Sequence, residues 1–383
     1  MLPISPQILA ALPSVIRRPT RAEWSNDGGQ TWHDCGLSDG KISADRTAET
    51  RYQADAVLTG VEMSRDEVNT VSTQVRLWQG VVIPRTSVEW IPAGRYKVTG
   101  AEVLRTGSVA VELDGLEDEL RRAEFPIARV IGPDSARVLT EQLVAEALPG
   151  EAVAWRPGVA ADTTIPAVFS DGDRWDVLSS SPTGSGSGGI AQAIGAELFF
   201  DASGIPTMAP IPTLDDPVVW RIGQGTGGVL VEPATQQSSD GLFNIVAATG
   251  DGGGGTEAVG PVVVWDDDPN SLTYAGPDPV NDPLAPQRLG LPWVRLRTMR
   301  YSSALLTSVG QAEAAARALL ADSLGVQSSL SLTAICNPAL EAGDVVEVEV
   351  SPGMWERHVI DSLSWSLGGT SMSCTTRTTS RRL

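Results

Sequence analysis

Ile190–Pro212, IAQAIGAELFFDASGIPTMAPIP, reads as the end of a helix, a strand, a tight Asp-Ala-Ser-Gly turn, and a second strand closed by prolines. Leu340–Val350, LEAGDVVEVEV, is a Gly-Asp turn feeding a strand of strict alternation. Such alternation puts one strand face on a core and the other in water. Neither stretch holds a catalytic constellation. Their order and spacing point to a structural protein of α+β class, mainly β.

Outward from these stretches, residues from about Arg21 to Glu124 show short alternating runs, Val75–Ile83, Tyr96–Leu104 and Val109–Leu113, between Gly and Pro turns. Around Asp134 the pattern changes. Asp134 is placed to cap a helix through Ala136–Leu148, with Val138, Leu139, Leu143 and Ala147 at helical spacing and Pro149-Gly150 ending it. Strands are expected near Ala167–Phe169 and Glu197–Phe200, with a helix between them split by the loop SSSPTGSGSGG, Ser179–Gly189. Short strands return over Val218–Thr249, and the Pro- and Asp-rich Pro261–Pro292 reads as irregular. The clearest helix is Gln311–Leu324. Ser308 and Gln311 have capping-box spacing, Ala312, Ala315, Ala316, Leu319 and Leu320 line one face, and Gly325 stops it. Ser328–Thr379 is β again. Ala93-Gly94-Arg95-Tyr96-Lys97-Val98 echoes Ala342-Gly343-Asp344-Val345-Val346-Glu347-Val348, each a turn glycine before an alternating strand, a hint of duplication.

The 383 residues suggest two to four domains, and 42% hydrophobic content can build cores. With 28 basic against 47 acidic residues the net charge is −19, which argues against nucleic acid as a ligand of the overall surface. Acids lining a channel would let a polyanion slide without sticking. Cys35, Cys336 and Cys374 form no C-x-x-C pair, and free buried thiols are expected. MLPISPQILAALPSVIRR lacks the basic n-region of a signal peptide and reads as an arm that packs on a neighbour.

Ser25-Asn26-Asp27-Gly28-Gly29-Gln30-Thr31-Trp32 fits the Asp box S-x-D-x-G-x-T-W of sialidases and other propellers. Asp27 is expected to accept turn N–H groups, the glycines to take positive φ, and Trp32 to pack beneath. A propeller needs the box in every blade, and one copy stands here, so the motif reads as a stabilised hairpin. Asp266, Asp267 and Asp268, like Asp171 and Asp173, could offer oxygens to Ca²⁺ but lack EF-hand spacing and read as solvated turns. His33 and His358 are the only histidines, which leaves little for imidazole chemistry. No P-loop, G-x-S-x-G, H-E-x-x-H or dinucleotide fingerprint occurs, so no enzyme, cofactor or metal is expected. Tryptophans at 24, 78, 90, 175, 265, 293, 355 and 365 read as core or interface anchors.

Taken together, R-W-D-V-L-S-S with I-A-Q-A-I-G-A-E-L-F-F-D-A-S-G-I-P, the late helix Gln311–Leu324, and the turn Asn337–Asp344 resemble the baseplate or tail-tip hub proteins of phage tails and related injection machines. The likeness covers about Asp134 to Thr376. It departs from the pattern where Ser181–Gly189 interrupts a helix that usually runs unbroken, and no appended lysozyme or spike domain is expected.

The resemblance implies two small related β-barrel hub domains with two inserted α/β peripheral domains. Residues 1–20 would be the arm, 21–130 the first barrel, and 131–215 a peripheral domain. Residues 216–250 with 326–383 would form the second barrel, and 251–325 the other insertion. Asp27, Gly29 and Trp32 would build a structural turn; Gly94, Gly343 and Asp344 would be hub strand turns. It further implies a homotrimer that adapts a six-fold tube to a three-fold tip and guides DNA release in the virion tail, assembled in the host cytoplasm. Partners would be the tail tube or distal tail ring, the tape measure protein, and tip spike or fibre proteins. DNA would be passing cargo, and no membrane would be bound. The competing readings are a β-rich carbohydrate- or receptor-binding protein carrying an Asp-box hairpin, and a hydrolase with an unrecognised carboxylate pair.

Overall fold

The computed structural model describes residues 1–14, 17–82, 88–179, 189–225, 228–236, 243–252, 258–271, 273–284, 296–324 and 328–378. After a short helix, α1 (Pro6–Ala11), come six strands: β1 (Thr20–Ser25), β2 (His33–Asp45), β3 (Tyr52–Thr59), β4 (Gln74–Val82), β5 (Val88–Val103) and β6 (Val109–Gly115). They pair in the order β1-β4-β5-β6-β3-β2, and β2 also pairs with β1, so the ladder returns to its start. Period-two burial explains the strands: Tyr52, Ala54, Ala56 and Leu58 of β3 point inward, as do Val109, Val111 and Leu113 of β6.

Next lie α2 (Glu117–Arg122), β7 (Arg129–Ile131), β8 (Asp134–Ser135), α3 (Ala136–Ala147), β9 (Ala154–Trp155), β10 (Thr164–Ile165), β11 (Val168–Ser170), α4 (Arg174–Leu178), α5 (Ile190–Ala193), β12 (Ala196–Phe200) and β13 (Pro206–Pro210). The chain continues through β14 (Val218–Ile222), β15 (Leu230–Gln236), β16 (Ile245–Gly250), β17 (Val259–Trp265), β18 (Thr298–Ser303), α6 (Val309–Leu324), β19 (Ser328–Ile335), β20 (Val345–Ser351), β21 (Met354–Ser366) and β22 (Ser371–Thr378).

Strands β14, β15 and β19–β22 pair as β14-β20-β21-β22-β19-β15, the same adjacency as β1-β4-β5-β6-β3-β2. The registers coincide too. Val98–Leu113–Ala54–Ile42 form one cross-strand row, and Ile360–Thr376–Leu330–Thr235 form its counterpart. Register shifts fall at Val98/Gly100 and Leu37/Asp39 in the first unit, and at Ile360/Ser362 and Leu230/Glu232 in the second, at matching distances from those rows. Bulges mark a register because each inserts one residue at a defined point. One strand differs. β1 runs antiparallel to β4, whereas β14 runs parallel to β20, and no β14–β15 pairing closes the second ladder among the described residues. β2 and β21 join the units through Lys41↔Ser366 to Asp45↔Ser362.

Two cores result. One fills both six-strand units and takes in Leu2, Ile8 and Leu12. The arm therefore packs on its own chain, where these apolar residues find cover. The other core joins α2–α5, β12 and β13 with β16–β18 and α6. The two insertions thus share one interior instead of forming separate domains. Residues 245–250 belong with them, since β16 pairs with β17 and β18. The registers also correct the echo: Gly94 lies inside β5, which matches β21, while Gly343 precedes β20, which matches β4.

Ile190–Pro212 folds as read, with Asp201 accepting from the N–H groups of Ser203 and Ile205 at 2.8 and 2.9 Å in its turn. The α3 cap is Ser135, whose Oγ accepts from Val138 N, while Asp134 pairs with Ile165. Val138 consequently faces outward, and Thr140 and Val144 are buried instead. The predicted α6 face is buried in full, and Ser308 Oγ accepts from Gln311 N. Pro261 lies in β17 rather than in irregular chain. Gly325 and most of the loop 179–189 lie outside the described residues.

Candidate functional site: a polar sheet face spanning both units

The outward residues of β6, β3, β2, β21, β22 and β19 form continuous rows across the β2–β21 junction. One row is Asp114–Gln53–Ser43–Ser364–Ser373–Thr333. A second is Glu112–Asp55–Lys41–Ser366, and a third is Asp45–Ser362–Thr375–Ser331. These side chains are exposed or half-buried, and a groove of about 640 Å³ runs between them. The first unit supplies acids, Asp45, Asp55, Glu112 and Asp114, with Lys41 as the one cation among the described residues of these rows. The second supplies Ser and Thr. Gln53 Nε2 and Thr99 Oγ1 donate to Asp114 at 2.9 and 3.1 Å. Asp55 and Glu112 stand directly opposite one another, where like charges repel. The face is hydrophilic, and the acids of its first half would repel a polyanion rather than hold one.

Behind this face, buried charges lock the units to the second core. Arg46 Nε and Arg51 Nη2 bind the two oxygens of Glu197 at 2.7 and 2.9 Å. The Arg51 guanidinium lies 3.5 Å from the Phe199 ring centroid and reaches Ala342 O. Arg51 thereby ties the stretch AELFF to the turn LEAGD, the two segments that decide the fold. Burial works against the Glu197 carboxylate, yet Arg46 and Arg51 hold it below its ordinary range. Glu117 Oε1 accepts from the N–H groups of Phe200 and Arg51 at 3.1 and 3.3 Å. Burial pushes its pKa up to about 7. Sequence reasoning missed this cluster. Its signal was an isolated acid, Glu197, inside an apolar strand, which has to be paired to be buried.

Asp27, Gly29 and Trp32 sit in the β1–β2 connection. Asp27 Oδ1 accepts from Ser25 Oγ at 2.7 Å and Thr31 N at 2.8 Å, which holds its carboxyl well below the usual range. Gly28 and Gly29 have φ of 73° and 85°. Trp32 is half-buried against the guanidiniums of Arg76 and Arg95, and its ring lies 3.1 Å from where a Cβ on Gly29 would stand, so it packs against the hairpin as expected. Arg95 also binds Gln74 Oε1 and Glu151. Gly94, with φ 136°, has the Tyr96 ring 2.0 Å from where a Cβ would stand, so it serves a bulge rather than a turn. Gly343 and Asp344 do form a turn, and the Met1 ammonium pairs with Asp344.

The remaining candidates are structural. Asp266 is buried and accepts from Ser271 Oγ and Thr273 Oγ1, Asp268 caps Asn270 N, and Asp173 caps α4; no cluster able to hold a metal occurs among the described residues. His33 stacks on Trp24, and buried His358 shares a hydrogen bond with Thr376. Cys336 and Cys374 are buried and unbridged. The exposed Trp90 and Trp355 lie on β5 and β21, with β6, β3 and β2 between them, so they form no carbohydrate platform. No described helix is long and apolar enough to cross a membrane.

No protein-family model and no curated protein matches the sequence. Solved structures match over almost the whole chain. A tail protein from Neisseria meningitidis shares 11% identity, covering 94% of this chain and 96% of that one, with a TM-score of 0.60. The 43 kDa tail protein of prophage MuSo2 from Shewanella oneidensis shares 12%, covering 93% and 98%, with 0.55. An Escherichia coli type VI secretion component, described as similar to the T4 tail proteins gp27 and gp5, shares 10%, covering 94% and 77%, with 0.51. The chain has the fold of phage tail proteins.

Proposed function

We propose that the chain is a structural hub subunit of a phage tail or of a related injection device, acting without catalysis. The two six-strand units are read as duplicated barrels, so three copies would present six similar surfaces to a six-fold tube while keeping a three-fold tip. The observation that carries this reading is the matched register of the two ladders, down to their bulges. In that ring the polar face lines the channel. Its acids repel DNA and keep it passing cargo, while the second core forms an outer layer toward neighbouring tail proteins. The tail tube or distal ring, the tape measure protein and a spike or fibre are the partners such a position requires, and the virion tail is its location.

Light scattering over a concentration series tests this, alone and with the tube protein. Three copies of the 40.3 kDa chain, roughly 120 kDa, are expected. A single-chain mass under both conditions would overturn the reading.

A further inference from the structure

The second core carries a two-stranded ribbon whose outward side is apolar. β7 and β11 pair antiparallel through Arg129↔Ser170, Val130↔Phe169 and Ile131↔Val168. Ile131 is buried, and Val168 packs on the second core. Alternation turns the opposed pair Val130 and Phe169 the other way, and they are 63% and 70% exposed; Ile127, just before β7, is 80% exposed. Among the described residues neither strand has a further partner, so each keeps a free edge. Two strands alone are marginal in water, and an unpaired row of backbone groups is a template for another chain. Other free edges are guarded: β15 by Pro233, β17 by Pro261, β14 by the exposed Arg221. Val168–Ser170 carries neither proline nor charge. The charges beside it are one-sided. Asp171, two residues beyond Phe169, falls on the same side by alternation and is exposed, as is Glu124 where it bridges Asp173 at the head of the ribbon. The neighbouring cations are committed elsewhere: Arg129 and Arg174 both bind Glu146 and lie over Phe125.

We propose that the free edge of β11 accepts an extended segment of a different protein as a third strand. That segment sets a large apolar side chain beside Phe169 and, two residues away on the same face, a lysine or arginine beside Asp171. The proposal rests on the hub reading and names a contact of its outer layer. Backbone hydrogen bonds to Val168–Ser170 supply affinity, and the alternate side chains supply specificity. Cross-strand neighbours on one face lie about 4.5–5.5 Å apart, so both contacts are made together in one register only. An acidic segment would be repelled by Asp171 and Glu124, and one without an apolar anchor would leave Phe169, Val130 and Ile127 in water. β11 of a second copy brings another Asp171 and no cation, which is why the partner is a different chain.

The end-capped, fluorescently labelled peptide TKTFTKT presents its phenylalanine and both lysines on one face of a strand. Titrated with the full chain and followed by anisotropy, it should bind roughly fivefold tighter than its isomer KTTFTTK, whose lysines turn to the other face. Phe169→Ser and Asp171→Lys should each weaken binding about tenfold. Leu284→Ser, at an exposed apolar residue outside the ribbon, should leave it unchanged. Methylating alternate backbone nitrogens of the peptide should abolish binding, because the strand then loses its donors to β11. Equal binding of the two isomers, or binding that survives Phe169→Ser, overturns the proposal: the acidic chain then attracts any basic peptide. A change of oligomer mass in Phe169→Ser also overturns it, by giving this edge to a second copy. A trimer that leaves TKTFTKT unbound overturns this contact while the hub reading stands. A single-chain mass with and without tube protein overturns the hub reading whatever the peptide does.

Discussion

The two six-strand units share adjacency, register and one continuous core, yet differ in closure and in charge. In the first, β1 and β2 are consecutive antiparallel strands, and the Asp27 turn between them closes the ladder. In the second, β14 is reversed relative to β20, and no β14–β15 pairing closes the ladder among the described residues. The inward faces are alike because alternation fixes them; the outward faces are acidic in one unit and hydroxylic in the other. Register is thus set by the apolar half of each strand, whereas closure depends on one connection and surface charge is independent of both.

The comparison breaks most severely at Gly94, whose bulge has no counterpart on β21. In the second unit the extra residue of this ladder falls on β20, between Glu349 and Ser351. Gly94→Ala adds a Cβ 2.0 Å from Tyr96, whose hydroxyl is held by Ala93 O at 2.7 Å. A loss of about 4 kcal/mol in chemical denaturation is expected, with both units unfolding together because they share a core. Gly107→Ala, also at positive φ but with no atom near, should cost about 1 kcal/mol.

Next in size is Glu117, a carboxyl buried at the exit of the first unit. Its folded pKa of about 7 lies above the ordinary 4.5. The folded chain therefore holds a proton that the unfolded chain releases between those values, and stability falls as pH rises from about 4.5 to 7. The pH-dependent part of the loss is about 3 kcal/mol. Glu117→Gln keeps an acceptor for Phe200 N and Arg51 N, so its stability relative to the parent should rise by that amount from pH 4 to pH 8. An unchanged difference across that range would sink the assignment.

How much of this was written in the sequence varies by element. Strands with clean alternation, such as Val345–Val350, and the helix facing inward through Ala312 to Leu320 were legible because one face dictates them. The Asp27 turn was legible because its bonds are local. Gly94 misled, since a glycine needed for a bulge looks the same as one needed for a turn. The polar face was illegible as a site: Ser43, Ser364 and Ser373 are unremarkable singly and become a row only through pairings across more than 300 residues. The shared second core was hidden for the same reason, its halves lying on either side of β14 and β15 in the chain.

The hairpin prediction sharpens the closure difference. Asp27→Ala removes the acceptor of Thr31 N and Ser25 Oγ. Amide exchange should accelerate in β1 and the N-terminal half of β2 toward the rate of the open-edged β14, with β3 and β6 unchanged. Equal acceleration throughout the first unit would mean that the turn supports the whole ladder rather than its closure.

The smallest effect concerns charge on the polar face. Asp55 faces Glu112 on one side and Lys41 on the other, so one cation offsets only part of the repulsion. Glu112→Gln should stabilise the chain by about 0.5 kcal/mol at low salt and by nothing measurable at 1 M salt, where exposed charges are screened within about 3 Å. Ser364→Ala, in the hydroxylic half of the same groove, should be neutral at both. A gain at Glu112 that survived high salt would point to packing rather than charge. Loss of stability there would mean that the acids are held for folding, and would remove the reason for reading them as a repulsive channel lining. Stabilisation on neutralising Glu112 is the outcome that fits a channel lining, because two like charges opposed on a sheet face then cost the chain stability without holding its fold.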